Sequence, residues 1–190
     1  MTPLRPAVFL DRDGTLNVDR DFVTRPEDLQ LLPGVGDALR LLKEAGFACV
    51  VVSNQSAVGR GMMSETDLKR VNEEMNRQLA EFGVTLDGVY SCTFAPKSTD
   101  PLAIEHPDRK PAPGMLLRAA AELGLDISDS WMIGDGARDI IAGQNAGCRG
   151  CVMIRNGKPI DDRLFARNAP FILLDDLSSA ARYILAQSLP

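Results

Sequence analysis

Residues 7–17 read AVFLDRDGTLN: four apolar side chains, then a carboxylate at Asp11. An apolar run that ends this abruptly predicts a buried strand with the acid at its carboxyl end. The same pattern recurs downstream. Phe47–Val52, rich in valine, leads into Ser53, and Trp131–Ile133 leads through Gly134 to Asp135. Shorter strand signals fall at Val89–Ser91, Cys151–Ile154 and Phe171–Leu174. Helical stretches lie between them. Pro33-Gly34 opens one that runs through Leu39 and Leu42 and is closed by Gly46. Ser64, with Asp67 three residues on, caps a second whose apolar face is Leu68, Val71, Met75, Leu79 and Phe82. Met115–Leu123, Ile140–Ala146 and Leu177–Leu185 are further helices, and the proline-rich stretch from Pro96 to Pro113 is a loop. This alternation predicts an α/β fold, a Rossmann-like doubly wound parallel sheet covered by helices on both faces. Such sheets bind ligands at the carboxyl ends of their strands, where Asp11, Ser53 and Asp135 fall.

At 190 residues, the chain suits one domain over residues 1–190, and no repeat, low-complexity tract or linker divides it. A formal net charge of -5 argues against a nucleic-acid grip, which calls for a basic surface. No apolar run approaches the roughly 20 residues of a membrane span. The short polar stretch before Ala7 has no hydrophobic signal core, which predicts a cytoplasmic protein with no membrane partner. Its cysteines, at 49, 92, 148 and 151, are then expected to be reduced. Cys148 and Cys151 form a C-x-x-C, but one follows a helix-ending glycine and the other begins a buried strand, so packing is the expected use.

Four segments carry chemistry. In Asp11-Arg12-Asp13-Gly14-Thr15, two carboxylates two apart repel each other unless a cation or proton compensates. A hard divalent ion suits them, magnesium being the usual one beside phosphate. One carboxylate can act as nucleophile and the other as general acid and base. Ser53, Asn54, Gln55 and Ser56 offer a hydroxyl and two amides able to donate to phosphate oxygens. In Arg109-Lys110-Pro111 the lysine is a compact charge for a phosphoryl group and the arginine a two-pronged grip. In Gly134-Asp135-Gly136-Ala137-Arg138-Asp139, Asp135 can complete a metal site. Asp139, near a helix start, is already accounted for by the helix dipole. Each segment alone is equally an ordinary polar turn or a solvated basic pair.

Together, and in this order, the four segments resemble the phosphatases of the haloacid dehalogenase superfamily from Ala7 to the C-terminal helix. The resemblance implies magnesium-dependent phosphatase chemistry in which Asp11 attacks phosphorus, Asp13 is general acid and base, and Ser53 and Lys110 steady the phosphoryl group. Asp11, the Asp13 backbone carbonyl and Asp135 would hold Mg²⁺. DRDGTLN at 11–17, SNQSAVGRG at 53–61, RKPAPGML at 109–116 and RNGKP at 155–159 are similar to the D-glycero-D-manno-heptose 1,7-bisphosphate phosphatase family. Its substrate, a small phosphorylated sugar, would meet Asp19, Arg20, Asp21 and Phe22, then Asn54, Gln55 and Ser56, and Arg109. Few core-like side chains between Asn17 and Val35 imply a small lid rather than a cap domain, and a monomer is expected.

Two departures stand out. The family's zinc loop carries a Cys-x-His pair and a Cys-x-Cys pair, where this chain has Cys92 with Phe94 and His106 with Asp108. That set makes a poor structural zinc site, so zinc is not expected and the loop is left to its own packing. His106 then has no assigned role beyond the loop. The second departure is Gly136, where the heptose enzymes often carry a substrate-binding lysine. The alternatives are a histidinol-phosphate or other sugar-phosphate phosphatase and, against the net charge, a nucleic-acid 3′-phosphatase.

Overall fold

The computed structural model describes residues 4–155 and 170–188. Six strands form one sheet in the order β3-β2-β1-β4-β5-β6, each neighbouring pair parallel. They are β1 Arg5–Leu10, β2 Ala48–Asn54, β3 Gly88–Cys92, β4 Leu125–Gly134, β5 Gly150–Ile154 and β6 Ile172–Leu174. The helices are α1 Val35–Glu44, α2 Ser56–Gly59, α3 Glu65–Ala80, α4 Gly114–Leu123, α5 Ala137–Ala146 and α6 Leu177–Gln187.

The period of two along the strands builds both cores. Val8, Leu10, Cys49, Val51, Ile133 and Val152 face α1, α3 and α6, whereas Ala7, Phe9, Val50, Val52, Met132 and Cys151 face α4 and α5. Helix α3 forms because Ser64 and Asp67 make a reciprocal capping box ahead of an apolar stripe. Its Leu68, Val71, Met75 and Leu79 are buried, each contributing about 1.5–3 kcal/mol by removal from water. Phe82, expected on that face, lies past the helix end, 43% exposed, with its ring against Gly36 of α1.

In the middle of the sheet, Leu10 is in register with Val51 on one side and Ile133 on the other. The Asp11 N–H continues the ladder by donating to the Ile133 carbonyl at 3.0 Å. Asp11, Ser53 and Asp135 therefore leave the sheet at one edge, side by side.

The structure adds features that the pattern does not show. Strand β4 begins at Leu125, ahead of the apolar run, because polar Asp126, Ser128 and Asp129 hide its first half; Ser130 Oγ accepts the Ala7 N–H at 2.8 Å across an irregularity in the ladder. The polar turn after β2 contains the single helical turn α2, whose Gly59 lies so close to the Thr93 carbonyl that a Cβ would sit 2.3 Å from it. The lid includes a 3-10 turn, Pro26–Asp28, and is more anchored than its composition suggests. Val23 and Leu29 are buried in the main core, and Val18 and Leu32 N–H donate to the Gln30 and Leu16 carbonyls at 2.9 Å each. Residues 156–159 of the RNGKP stretch lie outside the described residues.

Candidate active site

Asp11 sits just past β1, 3% exposed, and accepts a hydrogen bond from Lys110 Nζ at 2.8 Å. Burial alone would push the Asp11 carboxyl up, but Lys110 and then Arg138 outweigh it and hold the carboxyl below its ordinary value. The Lys110 ammonium is itself fully buried and also donates to the Val52 carbonyl at 2.6 Å. Burial opposes its charge, yet Asp11 and Asp139 raise its pKa above the usual lysine value. Its third neighbour is Asp139 Oδ1 at 2.7 Å. Asp139, which needs only the helix dipole to explain it in the sequence, is thus a fully buried partner of Lys110. Its other oxygen accepts the Gly136 N–H at 3.0 Å. Burial first, and then Asp11, push the Asp139 carboxyl up, and Lys110 and Arg138 offset this only in part.

The Lys110 backbone is registered by a side chain from the neighbouring strand end. Asn54 Oδ1 accepts the Lys110 N–H at 3.0 Å while Asn54 Nδ2 donates to the Lys110 carbonyl at 2.9 Å.

Asp13 is held on three sides. Arg12 Nη2 donates to its Oδ2 at 2.9 Å, Gln55 Nε2 to the same oxygen at 2.8 Å, and Asn17 Nδ2 to Oδ1 at 2.9 Å. Arg12 is 1% exposed and reaches Gln55 Oε1 and Asn72 Oδ1 as well, at 2.9 and 3.1 Å. Gln55 Nε2 also donates to Ser53 Oγ at 2.7 Å, which links the serine to the second carboxylate. The sequence reading missed Arg12, Asn17 and Asn72.

A cavity of about 340 Å³ opens above these groups, lined by Asp13, Asp19, Asp21, Phe22, Asn54, Gln55, Ser56, Arg60, Arg109 and Arg138. That volume suits a small ligand. Most of the expected substrate residues are brought together here. Asp21 holds a left-handed φ of 61°, its N–H donating to Asp19 Oδ1 at 3.1 Å. Arg20 is not a wall of this cavity; its guanidinium lies along the lid, 3.4 Å from Gln30 Oε1. Arg60 and Arg138 were not expected. Burial first, then Arg138, draw the Arg109 guanidinium below its ordinary pKa.

Oxygens of Asp11, Asp135 and Asp139 all lie within 4.8 Å of one another, a set of hard donors that could hold a divalent cation. The Asp13 carboxylate stands outside this set, engaged by Arg12, Gln55 and Asn17, so only its backbone could contribute. Gly14 makes the approach possible. It has φ 79°, and a Cβ there would lie 2.1 Å from Asp135 Oδ2.

In the departed loop, Phe94 stacks on His106 with ring centroids 5.2 Å apart, and Asp108 pairs with Arg118 at 2.8 Å. His106 Nδ1 accepts the Asp108 N–H at 3.1 Å and lies 3.8 Å from Cys92 Sγ. The Lys97 and Ser98 N–H groups both donate to the Glu105 carboxylate. Ring stacking and local hydrogen bonds join the two halves of the loop. Cys148 and Cys151 are both free thiols; burial raises both, Cys151 to about 12, as suits packing.

An ionised, sealed carboxylate facing a lysine, with a second carboxyl on the cavity wall, suits phosphoryl transfer to an aspartate, the chemistry of haloacid dehalogenase phosphatases. Residues 108–180 match the family described as HAD-hyrolase-like. The chain is 45% identical over 161 residues to the D-glycero-β-D-manno-heptose-1,7-bisphosphate 7-phosphatase of Yersinia pestis, covering 84% of this chain and 86% of that one. It is 41% identical over 186 residues to the enzyme of the same name from Escherichia coli (strain K12), covering 97% and 96%. The D,D-heptose 1,7-bisphosphate phosphatase of B. bronchiseptica, solved with magnesium and phosphate, superposes with a TM-score of 0.81 at 29% identity, covering 96% of this chain and 99% of that one. The chain belongs to the D-glycero-β-D-manno-heptose-1,7-bisphosphate 7-phosphatase family and is a phosphatase.

Proposed function

We propose that this chain hydrolyses the C7 phosphate of D-glycero-D-manno-heptose 1,7-bisphosphate through an aspartyl phosphate on Asp11. The observation that carries the reading is the Asp11 carboxylate, sealed from solvent and kept ionised 2.8 Å from the Lys110 ammonium. The relatives' names supply the sugar.

Asp11 attacks phosphorus, and the bond from phosphorus to the sugar C7 oxygen breaks. Asp13 gives its proton to that departing oxygen, then takes one from the water that attacks the aspartyl phosphate, which restores Asp11 and releases inorganic phosphate. Lys110 and Ser53 receive the phosphoryl oxygens as charge shifts onto them. Asp11, Asp135 and the Asp13 carbonyl would hold Mg²⁺, which when bound neutralises clustered carboxylate and phosphate charge. Asp19, Asp21, Phe22, Asn54, Gln55, Ser56 and Arg109 form the wall that receives the sugar.

This reading takes residues 1–190 as one phosphatase domain, working as a cytoplasmic monomer with neither nucleic acid nor membrane as partner. Among the described residues, no helix is long and apolar enough to cross a membrane. Phosphate release with magnesium should favour one heptose bisphosphate anomer over histidinol phosphate and over a 3′-phosphorylated oligonucleotide. Preference for either of the last two overturns the assignment of the sugar.

A further inference from the structure

We infer that Arg138 is a further substrate-binding residue of this site, the cation that receives the second, non-reacting phosphate of a bisphosphorylated substrate. The inference rests on the bisphosphate reading above.

Arg138 occupies the first turn of α5, just after the cap at Gly136. A cation at a helix N-terminus opposes the helix dipole, so helix stability gives no reason for it. Its side chain lines the cavity, and its Nε is buried without a hydrogen-bond partner. Nε is closed to solvent, so a ligand oxygen would meet the part of Arg138 that lines the cavity, where a guanidinium can grip a phosphate.

The plainer account is that Arg138 only balances the acidic cluster. The nearby carboxylates do act on it: burial opposes its charge, and Asp139, Asp11, Asp135 and Asp19 together raise its pKa. Yet among the described residues Arg138 makes no direct ion pair with any of them. An arginine placed to balance carboxylates gains most by gripping one with two parallel bonds, as Arg12 approaches at Asp13.

Arg60 and Arg109 line the same cavity, and neither is ion-paired among the described residues. Asp13, Asp19 and Asp21 line the cavity too, but Asp13 is already engaged by Arg12, Gln55 and Asn17, and three guanidiniums around one small cavity favour an anion there. The reacting phosphoryl group already has Lys110, Ser53 and the metal ligands. A second phosphate, carrying about 1.5–2 negative charges at neutral pH, would meet the arginines that remain. A Cβ at Gly136 would lie 3.3 Å from Asp139 Oδ2, 3.9 Å from Arg138 Cγ and 4.0 Å from its Nε, so the glycine leaves the start of α5 beside the arginine uncrowded.

The test compares heptose 1,7-bisphosphate with heptose 7-phosphate, which present the same reacting group with and without the second phosphate. Arg138→Ala should shrink the ratio of kcat/KM for the bisphosphate over the monophosphate by about 10- to 100-fold, chiefly through KM. Arg138→Lys should retain part of that ratio. If Arg138→Ala slows both substrates equally, or neither, Arg138 does not bind the second phosphate and the inference is overturned; circular dichroism of both variants separates this from misfolding, and if only the lysine variant folds, its unchanged ratio counts against the inference. A wild-type enzyme indifferent to the second phosphate would instead overturn the bisphosphate reading itself.

Discussion

The Lys110 ammonium lies 2.7 Å from Asp139 Oδ1, and both side chains are fully shielded from solvent. Lys110 therefore stands between two carboxylates. Asp139 draws part of its field away from Asp11, leaving the nucleophile less tightly paired. Asp139 is also the strained member, since burial and Asp11 both push its carboxyl up. Asp139→Asn keeps an acceptor for the Gly136 N–H but removes that charge. With the amide oxygen on that N–H, the amide nitrogen would face Lys110 Nζ, donor against donor, so the metal-free variant is expected to melt below the wild-type Tm while kcat falls about 10- to 100-fold. Calorimetry and steady-state phosphate release check the pair; a lowered Tm with unchanged kcat would show that Asp139 only holds the helix.

Asp11→Asn should stop turnover, because an amide is a far poorer nucleophile. Near-wild-type phosphate release from that variant would sink the covalent mechanism. Asp13→Asn should lower kcat by about 10²- to 10⁴-fold with KM little changed, as for loss of a general acid. A change confined to KM would instead make Asp13 a binding group.

Gly14→Ala tests the carboxylate cluster without touching a carboxylate. The new Cβ would strike Asp135 Oδ2, and φ 79° disfavours it further. Displacing one ligand should weaken magnesium about 10- to 100-fold, as judged by the metal concentration giving half-maximal activity and by calorimetric titration. Chelation should abolish wild-type activity and added magnesium restore it. Unaltered magnesium dependence in Gly14→Ala would place the metal away from Asp135.

Asp87 offers a pH-dependent handle on stability far from the site. It accepts from Lys43 Nζ and from the Cys49 N–H, both at 2.8 Å, and pairs with Arg5. Burial alone would push its carboxyl up, but these donors hold it below the usual range. Its contribution is therefore present above the unfolded carboxyl's pKa near 4 and is lost as pH falls through the lower folded value. Asp87→Ala should cost about 1–2 kcal/mol at pH 7, after allowing for partial exposure. The gap in denaturant midpoint should close at the acid end; a gap independent of pH would mean that lost packing, not charge, is responsible.

The sheet was legible because its strands are short apolar runs that stop at polar residues, and the site because Asp11, Ser53 and Asp135 follow those stops. Spacing along a chain reports neighbours in one element, however, not the faces that meet in space. Asp139 has a sufficient local reason at its helix start, so its contact with Lys110, 29 residues earlier in number, left no mark in the pattern. Arg12 reads as a spacer between two aspartates until Gln55 and Asn72 are folded onto it. Half of β4 escaped notice for the opposite reason: hydrogen bonding to Arg5 and Pro6 extends the strand through residues too polar to advertise it.

The two-way clamp of Asn54 on the Lys110 backbone has a bearing on how this family can diverge. The ammonium takes its position from a strand end in the sheet, whereas the excursion before it is joined by a stacked Phe94 and His106 and by Arg109 Nη1, which donates to the Phe94 carbonyl at 3.3 Å. Changes in the excursion's own packing can then be selected while the clamp keeps the reacting lysine in place.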